Sequence, residues 1–216
     1  MYKRQIFIDA WQLSAVDEYG DRKKARFFSK VFRVYSGGVF AVASALILFC
    51  QLFTKILVAP SYYDSWKYVP ILIIATTYSC IVNFLASVYM AEKKSFMALL
   101  TASSGAVTNI VLNLVFIPKM GANGAAIATV CAFLMVFITR GANTRKYVKM
   151  NFQLPTMIVE TVILIVQSAL ILWLKSGIVL YVIEALLFAL MFLVNIRQVK
   201  ELLDLIFAKF LKKKKQ

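Results

Sequence analysis

The chain has 216 residues, of which 61% are hydrophobic, and a mean hydropathy of +0.76, a composition beyond what a water-soluble core needs and typical of the bilayer class. Its net charge of +15 does not make it a nucleic-acid binder, because phosphate neutralisation needs a continuous basic face on a soluble fold and the cations here sit in short connectors and at the two ends. Cys50, Cys80 and Cys131 lie singly within apolar runs and there is no histidine, so no disulfide framework or zinc site is indicated and the commonest general base is missing.

A helix rises ~1.5 Å per residue and the hydrocarbon layer is ~30 Å thick, so a span needs about 20 mostly apolar residues. Residues 1–33 read as the end of a preceding helix, at 6–15 with Trp11 in it, followed by a cytoplasmic connector; no cleaved leader is legible. Four spans follow, over 34–54, 69–91, 96–117 and 120–139, then a second connector at 140–155 and two further spans over 156–174 and 176–196. Residues 197–216 form a basic amphipathic tail, with Val199, Leu202, Leu203, Ile206, Phe207 and Phe210 at helical spacing before the lysines at 212–215; it is expected to lie on the inner leaflet. Pro60, Pro70, Pro118 and Pro155 all fall at or beside predicted ends, where no ladder hydrogen bond is lost. The fold class is therefore all-α integral membrane with six transmembrane helices.

With the N-terminus inside, 21 of the 25 Lys and Arg face the cytoplasm, and only Lys55, Lys67, Lys119 and Lys175 face out. Every connector then obeys the positive-inside rule, and both termini are cytoplasmic. Tyr62, Tyr63, Trp66 and Tyr68 in the first outer connector, and Trp173 and Tyr181 at the last, suit the opposite interface.

Lipid removes the hydrophobic reason for helices to associate, so small residues and buried polar groups carry the packing. Gly37, Ala41 and Ala45 line one side of the first span, and Gly124, Ala128 and Ala132 one side of the fourth. Gly105, Asn109 and Asn113 recur at i, i+4, i+8 in the third span, beside Ala102 and Ala106, with Asn83 of the second span as a partner; amides in hydrocarbon must face protein or a wet cavity. This stripe is helix glue or cavity lining. Glu160 and Gln167 share a face of the fifth span, and Glu184 lies two turns into the sixth. Glu184 is the better site for a coupling ion, a proton or sodium, whereas Glu160 is close enough to the cytoplasmic interface to be solvated. No catalytic, cofactor-binding or metal-ligating set is legible, and Gly121-Ala122-Asn123-Gly124 lacks the Lys-Ser/Thr of a phosphate loop.

The run from Asn109 through Asn113, Pro118, Gly121 and Gly124 to Thr129 resembles the later half of the polysaccharide (O-antigen and capsule) flippases of the multidrug/oligosaccharidyl-lipid/polysaccharide superfamily. Upstream the pattern is also similar, at Ala10-Trp11-Gln12, Ser14-Ala15, Asp17-Glu18-Tyr19, Phe28-Ser29-Lys30, Ala59-Pro60-Ser61-Tyr62 and at Trp66, Tyr68, Val69 and Pro70. The resemblance covers most of 6–145; the last two spans match by hydropathy and position only.

It implies half of a two-lobe, MATE-like flippase in the bacterial cytoplasmic membrane, with a missing N-terminal half. Its substrate would be an undecaprenyl-pyrophosphate-linked oligosaccharide, moved outward by an ion gradient and without a bound cofactor. Partners would be anionic lipids and other polysaccharide-assembly membrane proteins. Such a cavity is expected to hold cations for the pyrophosphate, yet the middles of the predicted spans hold no Lys or Arg, so these are expected in the preceding half or the substrate is held otherwise. Arg33 and Lys55, at span ends, are expected to snorkel to headgroups. The alternatives are a multidrug exporter or lipid II flippase of the same superfamily, a membrane-embedded glycan polymerase, and a scaffold or channel subunit. A polymerase would want a long outer loop with catalytic groups, and the connector from Lys55 to Tyr68 has Asp64 as its one acid.

Overall fold

The structure, a computed structural model, describes residues 21–174, 177–196 and 198. The helix end expected at 6–15 and nearly all of the basic tail expected at 197–216 lie outside the described residues.

Helix α1 (Asp21–Leu48) begins well before the predicted first span, because its basic first turns are good helix formers that a hydropathy window does not register. A one-residue break at Phe49 separates it from α2 (Cys50–Leu57). The ladder crosses that break, Phe49 N donating to Ala45 O at 3.1 Å and Phe53 N to Phe49 O at 2.9 Å. Val58 and Ala59 are extended, as the approach to Pro60 requires, and a 3-10 segment (Pro60–Lys67) follows with an Asp64–Lys67 ion pair at 3.0 Å.

Helix α3 (Val69–Ala91) has the predicted bounds of the second span, with Pro70 in its first turn. Helix α4 (Ser95–Met120) runs through Pro118 in its last turn, past the predicted end at 117, since a proline there forfeits a single ladder bond. Gly121, at φ 57° and ψ −133°, turns the chain into α5 (Ala122–Thr144), a backbone region that residues with a Cβ avoid. Helix α5 continues five residues beyond the predicted end at 139, so 140–144 are helical and the connector proper starts at Arg145. Helix α6 (Leu154–Trp173) and α7 (Ile178–Val194) correspond to the fifth and sixth predicted spans.

Five helices are long and apolar enough to cross a bilayer: the α1 stretch Lys24–Leu48, α3, α4, α5 and α6. Helix α7 is as apolar but has 17 residues, roughly 26 Å at the standard rise and short of the ~30 Å hydrocarbon layer. Regular structure among the described residues is wholly helical, the architecture of an all-α multi-pass membrane protein.

The chain divides into two compact units, one comprising Ala75–Asn151 with the chain up to Lys30, the other Val31–Ile74 with the chain from Phe152 onward. In the first, Ile81, Leu85, Val88 and Tyr89 of α3 and Ala128 of α5 are fully buried, Tyr78 meets Phe137 edge-on at 5.9 Å, and Lys24 pairs with Glu92. The α4–α5 hairpin is drawn close by two glycines. A Cβ at Gly105 would overlap Val136 Cγ2, and one at Gly124 would overlap the backbone of Phe116. In the second unit Phe32, Phe40 and Ile47 of α1, Leu164 and Ile171 of α6, and Leu180 and Met191 of α7 are fully buried, and Phe32 meets Phe152 edge-on at 5.6 Å.

Candidate functional site

Both units hold polar groups buried among their helices. In the first unit a cavity of about 380 Å³ opens between α3, α4 and α5. Helical spacing places Ala102, Gly105, Ala106 and Asn109 on one face of α4 and Thr129, Ala132, Phe133, Val136 and Arg140 on one face of α5, while α3 contributes Val82 and Asn83. The alanines and Gly105 keep the space open because they have little side chain to fill it.

Arg140 is the charged group of this cavity and is only 6% exposed. Its Nε donates to Thr101 Oγ1 at 3.0 Å, Nη1 to the Val82 carbonyl at 2.7 Å and Nη2 to the Ala98 carbonyl at 3.2 Å. Among the described residues no carboxylate lies within ion-pair distance of it. A guanidinium has five N–H donors, so two remain, together with a positive charge that no acid among the described residues neutralises. Burying an uncompensated ion costs several kcal/mol, which makes Arg140 an expensive residue to keep for packing alone.

Three of the four residues expected in the stripe, Asn83, Gly105 and Asn109, meet at this cavity. Asn113 does not. It sits one turn further along α4 and donates from Nδ2 to Asn109 Oδ1 at 2.9 Å, orienting the amide that lines the cavity. Gly105 serves both readings of the stripe, since it touches Val136 and borders the open space.

Arg140, expected in the connector at 140–155, lies instead in the last two turns of α5. Hydropathy ended the fourth span at 139 because a charged residue lowers the window average. The signal that would have found Arg140 is its position four residues after Val136 and eight after Ala132, on the small-residue face.

In the second unit α1, α6 and α7 share a buried polar chain. Ser44 Oγ donates to Gln167 Oε1 at 2.7 Å, and Gln167 Nε2 donates to Glu184 Oε2 at 3.0 Å. All three side chains are fully buried, and Glu184 Oε1 has no hydrogen-bond partner. Near the start of α7 the Tyr181 hydroxyl donates to Gln51 Oε1 of α2 at 3.1 Å.

Gln167 and Glu184, both expected as ion-coupling candidates, are thus joined, and Ser44 is an addition the sequence did not single out. Glu160 stands apart, two turns earlier on the same face of α6. It is 1% exposed with neither carboxyl oxygen hydrogen-bonded, so the interfacial solvation expected for it is not observed. The side chain of Asn195, just past the end of α7, is set against the carboxyl.

Comparison of the chain with protein-family models, with curated proteins and with solved structures gives no match.

Proposed function

We propose that this chain is part of a flippase that carries undecaprenyl-pyrophosphate-linked oligosaccharide across the bacterial cytoplasmic membrane by ion-coupled alternating access, with both termini in the cytoplasm. The observation that carries the reading is Arg140: a buried guanidinium with no acid beside it among the described residues, lining a cavity among helices long enough to span a bilayer. The sequence resemblance between residues 6 and 145 supports the same reading.

The division of labour follows from donor chemistry. The two unspent N–H groups of Arg140 and its charge suit phosphate oxygens, where charge-assisted hydrogen bonds are strongest. The carboxamides of Asn83 and Asn109 both donate and accept, which suits sugar hydroxyls. Such a cavity lets the polar headgroup avoid hydrocarbon while the lipid tail stays in the bilayer, and alternating access moves the opening from one face to the other.

The test is genetic and biochemical. A strain lacking the full gene accumulates lipid-linked repeat units on the inner leaflet, the wild-type gene clears them, and an Arg140→Met gene does not. Unchanged glycan export in the deletion strain would reject the flippase reading, and full rescue by Arg140→Met would take the cavity off the transport path.

A further inference from the structure

Three different nitrogens hold Arg140 in place, and only one of them is met by a side chain. Nη1 donates to the Val82 carbonyl of α3 and Nη2 to the Ala98 carbonyl of α4, backbone acceptors that almost any sequence would supply there. Nε donates to the Thr101 hydroxyl of α4 at 3.0 Å. Thr101 lies four residues before Gly105 and eight before Asn109, so it extends the polar stripe of α4 one turn beyond the residues that the sequence singled out.

The bond from Nε decides the orientation of the group. A guanidinium is planar, and bonds from its two terminal nitrogens alone leave it free to tilt about the line through them; a third bond from Nε fixes the plane. The hydroxyl that receives this bond is itself fixed. Its proton is directed to the carbonyls of Met97 and Ala98 at 2.8 and 3.1 Å, so toward Arg140 the oxygen acts as an acceptor. Thr101 is 5% exposed, and the Tyr89 side chain set against Thr101 and Arg140 has no exposure, which leaves water little room to loosen the contact.

The unspent donors follow by count. Nε has a single N–H, which is used, and each terminal nitrogen has two, of which one is used. One N–H therefore remains on Nη1 and one on Nη2, in a group that lines the cavity. Donors on separate nitrogens of one rigid plane suit an anion that brings two oxygens, as a phosphate or pyrophosphate group does. A single-atom anion cannot align with both.

We propose that Thr101 is a positioning residue: it holds the plane of Arg140 so that the cavity selects oxyanions able to take both terminal nitrogens at once over monodentate anions. The assignment rests on the flippase reading of this cavity and specifies how the pyrophosphate end of the substrate is recognised.

The experiment titrates inorganic pyrophosphate and, separately, iodide into the purified full chain in detergent and follows the shift in thermal unfolding. Thr101→Val keeps nearly the same shape without the hydroxyl. It should weaken pyrophosphate binding about tenfold and change iodide binding by less than about twofold, while Thr101→Ser should bring pyrophosphate binding to within about threefold of wild type. Thr101→Ala, with a smaller side chain, should repeat the Thr101→Val result, and unfolding without added anion reports which variants fold. A folded Thr101→Val or Thr101→Ala that binds pyrophosphate like wild type overturns the role. So does a variant that weakens both anions by the same factor, because that is the effect of a loosened fold. Both of those results leave Arg140 as an anion site. Absence of pyrophosphate binding in the wild-type chain is the separate result that overturns the flippase reading, and the role of Thr101 with it.

Discussion

Gln167 Nε2 donates to Glu184 Oε2 at 3.0 Å, so α6 and α7 are fastened by a hydrogen bond between two side chains with no exposure at all. Ser44 extends the bond to α1, and the chain as a whole ties together three helices that lipid gives no hydrophobic reason to associate.

This bond makes a prediction about shape against charge. Glu184→Gln keeps a carbonyl oxygen for Gln167 and should change stability by less than about 1 kcal/mol, whereas Glu184→Leu strands the Gln167 amide and should cost about 1–3 kcal/mol. Thermal unfolding in detergent separates the two. Equal stability of both variants would show that the bond contributes nothing to the helix packing.

Arg140 should show the opposite pattern from a packing residue. Removing an uncompensated buried charge while keeping an apolar stem of similar length relieves desolvation, so Arg140→Met should unfold within about 1 kcal/mol of wild type or later, while losing substrate transport. Arg140→Lys keeps the charge but has three donors in place of five, and should retain only part of the activity. An Arg140→Met protein that is strongly destabilised would assign the residue to the fold.

Gly105 and Val136 form a size-matched pair. Gly105→Ala drives a methyl into Val136 Cγ2 and should cost about 1–3 kcal/mol, and adding Val136→Ala should recover most of it. A double-mutant cycle in thermal unfolding gives the coupling, and additive effects would mean that the helices separate instead of the side chains adjusting.

The two asparagines of α4 differ in access. With Cys50, Cys80 and Cys131 replaced, Asn109→Cys in the cavity wall should react with a water-soluble thiol reagent, and Asn113→Cys, outside the lining, should react far more slowly. The ratio of labelling rates decides it. Unreactive Asn109→Cys would mean that the cavity is dry.

Much of this architecture is legible in the chain. Helix α3 has the bounds its apolar run gives it, since lysines beyond Ala91 and the aromatic connector before Val69 mark both ends. Asn83, Gly105 and Asn109 are placed together because amides in hydrocarbon have few alternatives. What hydropathy hides is anything set by the register between helices. Arg140 ends an apolar window yet not its helix, and Glu160 lies at the depth of an interface but beneath Asn195. The match of Ser44 with Gln167 depends on how α1 and α6 lie side by side, which no single segment encodes.

The most direct measurement is binding of a polyprenyl-pyrophosphate-linked oligosaccharide to the purified full chain, read by native mass spectrometry for wild type and Arg140→Met. Wild type should bind one molecule, displaced by excess inorganic pyrophosphate, and the variant should bind none at the same concentration. Equal binding by the two proteins, or binding that pyrophosphate leaves untouched, would contradict a cavity built around that guanidinium.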